Sequence, residues 1–279
     1  MLSVFYGLMS ALAWGAGDFA GGVASRKTGA FRVVLFSEIV GLLVLAPAAL
    51  IVGEALPDTM SWIQAALAGG LGCLGLLLLY HAMTTGMLSI AAPVSALTAA
   101  ILPVVIGAFT EGIPGGPVIM GFAFALMAVW LVSQNQEGPR HILSHLADLR
   151  IPLFAGVGFG CYFVLMHSAA SESTMWPMLA SRSAGLAVVG LFMLTRRDSF
   201  RVLPGAMPVI ALNAILDICG NAFYILAGQT GRLDVSAVLS SLFPGATILL
   251  ARLILKERLS RTQWVGIAAA LVAIVLFTL

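Results

Sequence analysis

Charged residues are scarce in this chain, and their scarcity excludes a soluble globular fold. Only 9% of the 279 residues are charged, 60% are hydrophobic, and the mean hydropathy is +1.05. A soluble domain needs more polar surface than this composition supplies. The net charge is only +2 and the basic residues lie in short connectors, which gives no indication of a nucleic-acid partner. The sequence therefore predicts an integral protein of the lipid bilayer.

Catalytic and energy-coupling motifs are also missing. No Gly-x-x-x-x-Gly-Lys-Ser/Thr loop occurs, so ATP is not expected to be a direct energy source. No His-Glu-x-x-His or Gly-x-Ser-x-Gly pattern occurs, and His141 and His145 have no third metal ligand nearby in the sequence. The cysteines Cys73, Cys161 and Cys219 lack a paired or metal-binding spacing. We expect no enzyme activity, no metal site and no cofactor.

Ten apolar segments are present that can cross a bilayer, for which a helix needs about 20 mainly apolar residues. They cover residues 2–22, 30–52, 61–83, 88–110, 115–133, 151–170, 175–195, 205–229, 233–255 and 261–279. The only long polar stretch follows the fifth segment. This predicts a first domain over 1–133, a cytoplasmic linker over 134–150 and a second domain over 151–279. The linker is either flexible or a short helix on the membrane surface.

Positive charge is concentrated in the links that follow odd-numbered helices, whereas the opposite side holds only Arg232. The positive-inside rule places the charged links in the cytoplasm and both termini outside. Five helices in each half then invert the second half relative to the first. The predicted fold is therefore an all-α integral membrane protein, with ten transmembrane helices arranged as two inverted five-helix repeats. In such architectures the binding site lies near the bilayer midplane, between the repeats.

A constant offset relates the two halves. Adding 144 to a position in the first half gives an equivalent position in the second, and four pairs follow this rule: Asp18 and Tyr162, Phe19 and Phe163, Glu38 and Arg182, Tyr80 and Tyr224. The glutamates Glu111 and Glu257 differ by 146, which fits a duplication with a small drift in one loop. Because equivalent positions carry different chemistry, we expect an asymmetric site.

Several short motifs occur at corresponding places in the chain. They include Ala13-Trp14-Gly15, Tyr80-x-Ala-Met-x-x-Gly86, Ala91-Ala-Pro93, Ala237-x-x-Ser-Ser-Leu-Phe-Pro244 and Leu255-Lys-Glu257. With these motifs the chain resembles the drug/metabolite transporter superfamily in its ten-helix form with two EamA-type repeats, over nearly its whole length. The resemblance implies a transporter of small molecules. Many relatives have arginine where this chain has Glu38, which weakens any inference of an anionic substrate.

An acidic and aromatic stripe runs along the first helix. An ionised side chain in a spanning helix costs about 2.5–3.5 kcal/mol on insertion scales, so it should face a cavity or a partner rather than lipid. Ser10, Trp14 and Asp18 recur every four residues and therefore share one face. A carboxylate beside an aromatic wall suits an organic amine. The alternative is that Gly17 and Gly21 form a packing face and Asp18 has no further role.

The eighth helix carries the clearest polar stripe. Asn213, Asp217 and Asn221 recur every four residues, and Tyr224 follows three further on. The asparagines either bind substrate or join helices through hydrogen bonds. A carboxylate in a low-dielectric cavity can exchange a proton in the physiological range. Asp217 is therefore the first candidate for proton coupling, ahead of Asp18 and Glu38.

The remaining candidate residues come from the repeat. Glu38 and Arg182 either pair as a structural salt bridge or leave the arginine free to bind a carboxylate. Tyr80 and His81 resemble what some relatives present to their central cavity, and Tyr162 is the repeat equivalent of Asp18. The residues predicted to bind substrate are Trp14, Asp18, Glu38, Tyr80, His81, Tyr162, Arg182, Asn213, Asn221 and Tyr224. Prolines that interrupt helices four and nine are predicted hinges: Pro93, Pro103 and Pro244.

These features favour a secondary transporter that works by alternating access in the cytoplasmic membrane. A small polar metabolite, most simply an amino acid or related amine, is the expected substrate, and export is the expected direction. Coupling to protons and uncoupled exit both remain open. The alternatives are a proton-coupled exporter of cationic drugs, favoured if all three central acids are unpaired, and a non-transporting membrane scaffold. A monomer is expected, because the fused halves already supply the inverted pair.

Overall fold

The computed structural model describes residues 1–84, 88–133, 149–255 and 259–279. Within these residues side chains are described except at positions 80, 83–84, 88–93, 133, 204, 251 and 255. The linker predicted over 134–150 therefore lies almost wholly outside the described residues, as do the linker histidines and Glu257. The described part of the chain contains helices and turns but no strand. The prediction of an all-helical fold is confirmed for these residues.

Eleven α-helices occur in the described residues. They are α1 Leu2–Thr28, α2 Ala30–Val52, α3 Thr59–Thr84, α4 Leu88–Thr110, α5 Gly116–Ser133, α6 Arg150–Ala169, α7 Met175–Thr195, α8 Met207–Gln229, α9 Leu233–Ser240, α10 Phe243–Leu255 and α11 Arg261–Thr278. A short 3-10 helix, Pro204–Ala206, precedes α8.

Seven of the described segments are long and apolar enough to cross a membrane. They are α2, α3, α6, α7, α8, α9 together with α10, and α11. The segments Val94–Thr110 and Gly116–Val132 are apolar but shorter. Exposed leucines, isoleucines and valines cover the outer faces of these helices, as expected where lipid replaces water. Multiple membrane spans are thus confirmed, whereas the number ten stays a prediction.

The predicted ninth helix, 233–255, is divided in two. Helix α9 ends at Ser240 and α10 begins at Phe243, and a tight turn in which Leu242 N donates to Leu239 O (3.1 Å) joins them. Pro244 explains the division, because proline has no N–H and disfavours the helical conformation in the residue before it. In the first turn of α10 the missing donor costs little. All eight residues of α9 are buried, so the division lies inside the protein.

The helices pack mainly across the two halves of the chain. Helix α1 lies against α8, α9 and α10, and α6 lies against α3 and α4. Helix α2 packs on α7, α5 packs on α11, and α3 also runs along α7. The interior between α1, α2, α7 and α8 holds the charged residues described below.

The bundle has two ends. At one end α2, α4, α6 and α8 finish, and we call it the Glu54 end after the second residue beyond α2. At the other end α1, α3, α5 and α7 finish, and we call it the Asp198 end after the third residue beyond α7. Hydrogen bonds across the halves join the helices at the Glu54 end, for example Ser3 Oγ to Ala227 O at 2.9 Å. The Asp198 end includes the exposed link that begins at Arg196.

Candidate functional site

Arg182 is the centre of a charged cluster between three helices. Its Nη1 atom donates to Glu38 Oε2 on α2 at 3.0 Å, and its Nη2 atom donates to Asp217 Oδ2 on α8. The side chain of Arg182 is 7% exposed, that of Glu38 20% and that of Asp217 38%. The arginine is thus enclosed, while Asp217 keeps accessible surface. The sequence predicted the Glu38–Arg182 pair as one alternative; it did not predict that Asp217 shares the arginine.

Two glycines make space for this ion pair in a reciprocal way. A Cβ at Gly41 on α2 would lie 2.6 Å from Arg182 Nη1, and a Cβ at Gly185 on α7 would lie 3.2 Å from Glu38 Oε1. Each glycine follows its own helix's charged residue by three positions, and adding 144 to position 41 gives position 185. The glycine of each half therefore accommodates the charged side chain of the other half. Neither glycine was noticed in the sequence.

Polar side chains extend the cluster along α8. Asn221 Nδ2 donates to Asp217 O at 2.6 Å and to Asp217 Oδ2 at 3.1 Å. The hydroxyl of Tyr162 on α6 donates to Asn221 Oδ1. Asn221 therefore bonds the same Asp217 oxygen that accepts from Arg182. Tyr162, predicted from the repeat, and Asn221 and Asp217, predicted from one stripe, thus belong to one network.

Asp18 reaches the same region from α1. Its side chain is exposed, although it lies within electrostatic reach of Asp217. One residue earlier on α1, the carbonyl of Gly17 accepts a hydrogen bond from Asn213 Nδ2 at 2.8 Å. Asn213 therefore joins α8 to α1, as the helix-joining alternative for the asparagines describes. Asp18 thus adds a third carboxylate to the region, within electrostatic reach of Asp217.

The aromatic residues predicted for the site form a packed group beside it. The ring of Trp14 lies 5.9 Å from that of Tyr224 and 5.7 Å from that of Phe163. Tyr224 is fully buried, and its hydroxyl donates to Phe163 O at 2.6 Å. Ser10 Oγ donates to Gly220 O at 2.9 Å and holds α1 against α8. Trp14 is half-buried and keeps some accessible surface, whereas Tyr224 is enclosed by its neighbours.

The other predicted residues lie apart from this cluster or are not described. The side chains of Tyr80 and Pro93 lie outside the described residues. His81 is exposed in the last turn of α3. Pro103 is buried within α4, which continues through it, and Pro244 stands at the division between α9 and α10. Within the described parts of the chain, no group of three or more His, Cys, Asp or Glu side chains is arranged to hold a metal ion.

A second arginine cluster lies at the Glu54 end and was missed in the sequence. Arg232 donates to Asp234 Oδ2 at 2.7 Å and to the main-chain oxygens of Glu111 (3.1 Å) and Gly112 (2.7 Å). The hydrogen bond to Asp234 raises the pKa of Arg232 above its usual value. The Glu111 carboxylate accepts from Leu233 N at 3.1 Å, where a negative charge stabilises the start of α9.

This end cluster joins the two halves of the chain. His167 Nε2 lies 3.6 Å from Glu111 Oε1, so α6 also contributes to it. Asp234 is 0% exposed, and its Oδ1 accepts from Val235 N at 2.7 Å. The only sequence signal was the presence of acids at helix ends, which does not identify their partners. Glu111 links the end of α4 to the start of α9 through its contacts with Arg232 and Leu233.

The comparisons with known proteins support a transporter fold. Residues 149–279 match the family model described as the EamA-like transporter family, which is part of the drug/metabolite transporter superfamily. A solved crystal structure of a protein superimposes with a TM-score of 0.78, covering 99% of this chain and 96% of that chain at 17% sequence identity. No curated protein matches the chain significantly. The second half, residues 149–279, therefore belongs to the EamA-like transporter family, and the chain is a multi-pass membrane protein.

Proposed function

We propose that this protein is a secondary transporter that moves a small polar metabolite across the cytoplasmic membrane by alternating access. The proposal rests chiefly on the central cluster, in which Glu38 and Asp217 bond one guanidinium, that of Arg182, and Asp18 lies within electrostatic reach of Asp217. When all are ionised the cluster is negative by two charges, which favours binding of a cationic group or a proton. A membrane scaffold has no need of such an interior.

The preferred substrate is an amino acid or a related amine, moved outward. Asp18 offers a carboxylate to an ammonium group beside the aromatic face of Trp14. Arg182 offers a fork of donors to a carboxylate when Asp217 releases it. The alternative, a proton-coupled exporter of cationic drugs, was favoured if all three acids were unpaired. Glu38 and Asp217 are both bonded to Arg182, and this favours a zwitterion over a bulky cation.

Proton coupling through Asp217 fits the geometry of the cluster. Asp217 keeps accessible surface, and a proton on its carboxyl group would weaken its ion pair with Arg182. Arg182 would then remain bonded to Glu38 and be able to receive a substrate carboxylate. The proton is thus proposed to act through the arginine, and Asn221 and Tyr162 hold the carboxyl group in place. Hinge roles for Pro93, Pro103 and Pro244 remain part of this proposal.

Ten spans in two inverted repeats are proposed as the architecture. Helix α1 packs on α8 as α6 packs on α3, and α1 packs on α9 and α10 as α6 packs on α4. Helices α2 and α7 are equivalent positions in the two halves, as are α5 and α11. The contacts α2–α7 and α5–α11 are therefore each their own equivalent when the halves are exchanged. This reciprocity supports the two predicted domains. With it we propose a monomer in the cytoplasmic membrane, oriented with both termini outside.

The test is transport by purified protein in liposomes. Amino acids, amines and sugars are first screened for thermal stabilisation of the protein, and each stabilising compound is then assayed by counterflow with and without a pH gradient. We expect flux that responds to the gradient in the unmodified protein and loses this response in Asp217→Asn. The matched control is Asp58→Asn, an exposed carboxylate at the start of α3, which should transport normally. Absence of flux for every compound would favour the scaffold instead.

A further inference from the structure

A carboxylate that follows α2 caps the start of α7 in the other half of the chain. Glu54 Oε2 accepts hydrogen bonds from Thr174 N at 2.8 Å and Met175 N at 2.7 Å. Trp176 Nε1 adds a bond to Glu54 O at 3.1 Å. The first N–H groups of a helix lack intrahelical partners and carry partial positive charge, so a carboxylate stabilises them. This contact ties α2 to α7 at the Glu54 end.

The same local construction exists at the opposite end. Helix α2 is followed by Gly53 with φ 67° and then Glu54, and α7 is followed by Arg196, by Arg197 with φ 55°, and then by Asp198. Adding 144 to positions 53 and 54 gives positions 197 and 198. Both acids thus come directly after a residue in the left-handed conformation. In Arg197 this conformation is unfavourable for a side chain with a Cβ, yet it is kept.

The target of the Glu54 carboxylate also has an equivalent. Subtracting 144 from positions 174 and 175 gives Ala30 and Phe31, the first two residues of α2. Asp198 is engaged elsewhere, because its Oδ2 lies 3.7 Å from Arg196 Nε. The guanidinium of Arg196 lies over the ring of Phe31, 5.7 Å from its centroid. One cap is therefore made between the halves, while the acid at the equivalent position is held by an arginine of its own half.

A second observation shows that the two halves have different packing in this structure. Gly69 of α3 lies directly against the main chain of Ser181 of α7, too close for any Cβ. The offset relates this pair to Asn213 of α8 and Ser37 of α2. Asn213 has a side chain, which bonds Gly17 O instead. Helices α3 and α7 thus approach each other closely at Gly69. Their equivalents, α8 and α2, cannot make the same contact, because Asn213 carries a side chain where Gly69 has none.

We propose that Glu54 and Asp198 are alternating helix caps. In the conformation described here Glu54 caps α7 and closes the Glu54 end. In the opposite conformation Asp198 leaves Arg196 and caps α2 at Ala30 and Phe31, and Glu54 releases α7. The inference rests on the alternating-access cycle proposed above. It adds a pair of contacts that controls the balance between the two conformations of that cycle. Since one charge-assisted cap replaces another, the two conformations stay close in free energy.

The experiment measures distances at both ends of the protein without substrate. Spin labels are placed through an unnatural amino acid, which leaves the native cysteines untouched. One labelled pair, Leu56 and Glu172, reports the Glu54 end, and a second pair, Lys27 and Ser199, reports the Asp198 end. All four residues are exposed. Pulsed electron resonance of the protein in lipid nanodiscs then gives the population of each distance.

We expect opposite effects from removing the two carboxylates. Glu54→Gln should raise the population with a long Leu56–Glu172 distance and a short Lys27–Ser199 distance by about fivefold, equal to about 1 kcal/mol. Adding Asp198→Asn to that variant should return the ratio to within about twofold of the unmodified protein. Asp58→Asn is the matched control, because Asp58 caps α3 within its own half and should change neither distance.

The possible outcomes separate clearly. An unchanged distribution in Glu54→Gln, or a double variant identical to Glu54→Gln, overturns the proposal. If Glu54→Gln does not fold, Asp198→Asn alone decides: the minor population must fall, and an unchanged one contradicts the exchange. The distances need no substrate, so a protein without transport activity would contradict the proposed function while the cap exchange could still be seen.

Discussion

The two arginine clusters use similar residues in different ways. At the Glu54 end Arg232 bonds a fully buried carboxylate, Asp234, and also two main-chain oxygens, those of Glu111 and Gly112. In the centre Arg182 bonds two carboxylate side chains, those of Glu38 and Asp217, and Asp217 keeps accessible surface. Main-chain partners move only with their helices. The end cluster therefore holds helices of the two halves together. In the central cluster, by contrast, Arg182 can exchange one side-chain partner for another without movement of the helices.

The difference shows that buried charge has two uses in one membrane protein. A charge pair that lacks water is costly to break, because the remaining charge is stranded. A charge pair that water or substrate can reach loses less when a partner leaves. The same variant at the two arginines should thus separate stability from transport.

Removal of Arg232 should give the largest loss of stability. In Arg232→Ala the carboxylate of Asp234, 0% exposed in the intact protein, loses its cation, and two main-chain oxygens lose their donor, so the free energy of unfolding should fall by about 3–5 kcal/mol. Equilibrium unfolding with a denaturing detergent in mixed micelles measures this change. The matched control is Arg201→Ala in the exposed link before α8, for which we expect less than about 0.5 kcal/mol. Equal changes in the free energy of unfolding in the two variants would show that Arg232 does not stabilise the helix contacts at the Glu54 end.

Removal of Arg182 should cost less stability but all transport. Water can reach Asp217, so Arg182→Ala should lower the free energy of unfolding by about 1–3 kcal/mol. Adding Asp217→Asn to it should recover part of that loss, because one stranded charge disappears. Counterflow should stay absent in both variants. A double variant less stable than Arg182→Ala would contradict the assignment of Asp217 as the partner.

A methyl group at Gly41 should have a smaller effect on the same cluster. In Gly41→Ala the new Cβ would meet the guanidinium of Arg182 at 2.6 Å from Nη1. The flexible side chain can move, so we expect a cost of about 1 kcal/mol in unfolding and a several-fold fall in transport rate. Gly22→Ala is the matched control, since that position has open space within 4 Å. Normal transport by Gly41→Ala would mean that the position of the arginine does not matter.

Neutralisation of Asp18 should change stability least. Its side chain is exposed, so the free energy of unfolding of Asp18→Asn should stay within about 0.5 kcal/mol of the unmodified protein. Under the proposed function the KM for an amine substrate should rise about tenfold, because an ion pair to the ammonium group is lost. Counterflow at several substrate concentrations measures this. A KM unchanged for every transported amine would remove Asp18 from the site.

The helical elements could be predicted from the sequence because apolar length alone defines them. Each of the ten predicted segments coincides with a helix or with the pair α9 and α10. The division within the ninth segment was missed, although Pro244 was noted there. Hydropathy averages over a window, so it cannot separate a continuous helix from two halves joined by a two-residue turn. The local conformation before proline carries that information.

The candidate site could be predicted only in part. The offset of 144 gave a Glu38–Arg182 pair as one of two alternatives, since an inverted pair can meet near its axis, and the two side chains are bonded. It did not identify Asp217 as the second partner, because the repeat equivalent of Asp217 is Cys73 and gives no signal. The bonds of Glu54 and Arg232 were missed for a related reason. Apart from Asp234, two residues after Arg232, their hydrogen-bond partners lie more than 100 residues away, where no local pattern reveals them.

The reciprocal glycine clefts also bear on how the polarity of the interior can change. Gly41 and Gly185 fit whichever charged side chain projects from the opposite helix, since a missing Cβ imposes no sign. The exchange Glu38→Arg with Arg182→Glu would thus keep the shape of the interior and reverse the direction of its local electric field. Two substitutions in an unchanged scaffold would then present the opposite arrangement of charges to a ligand. The clefts thus make the shape of the interior independent of the sign of its charges.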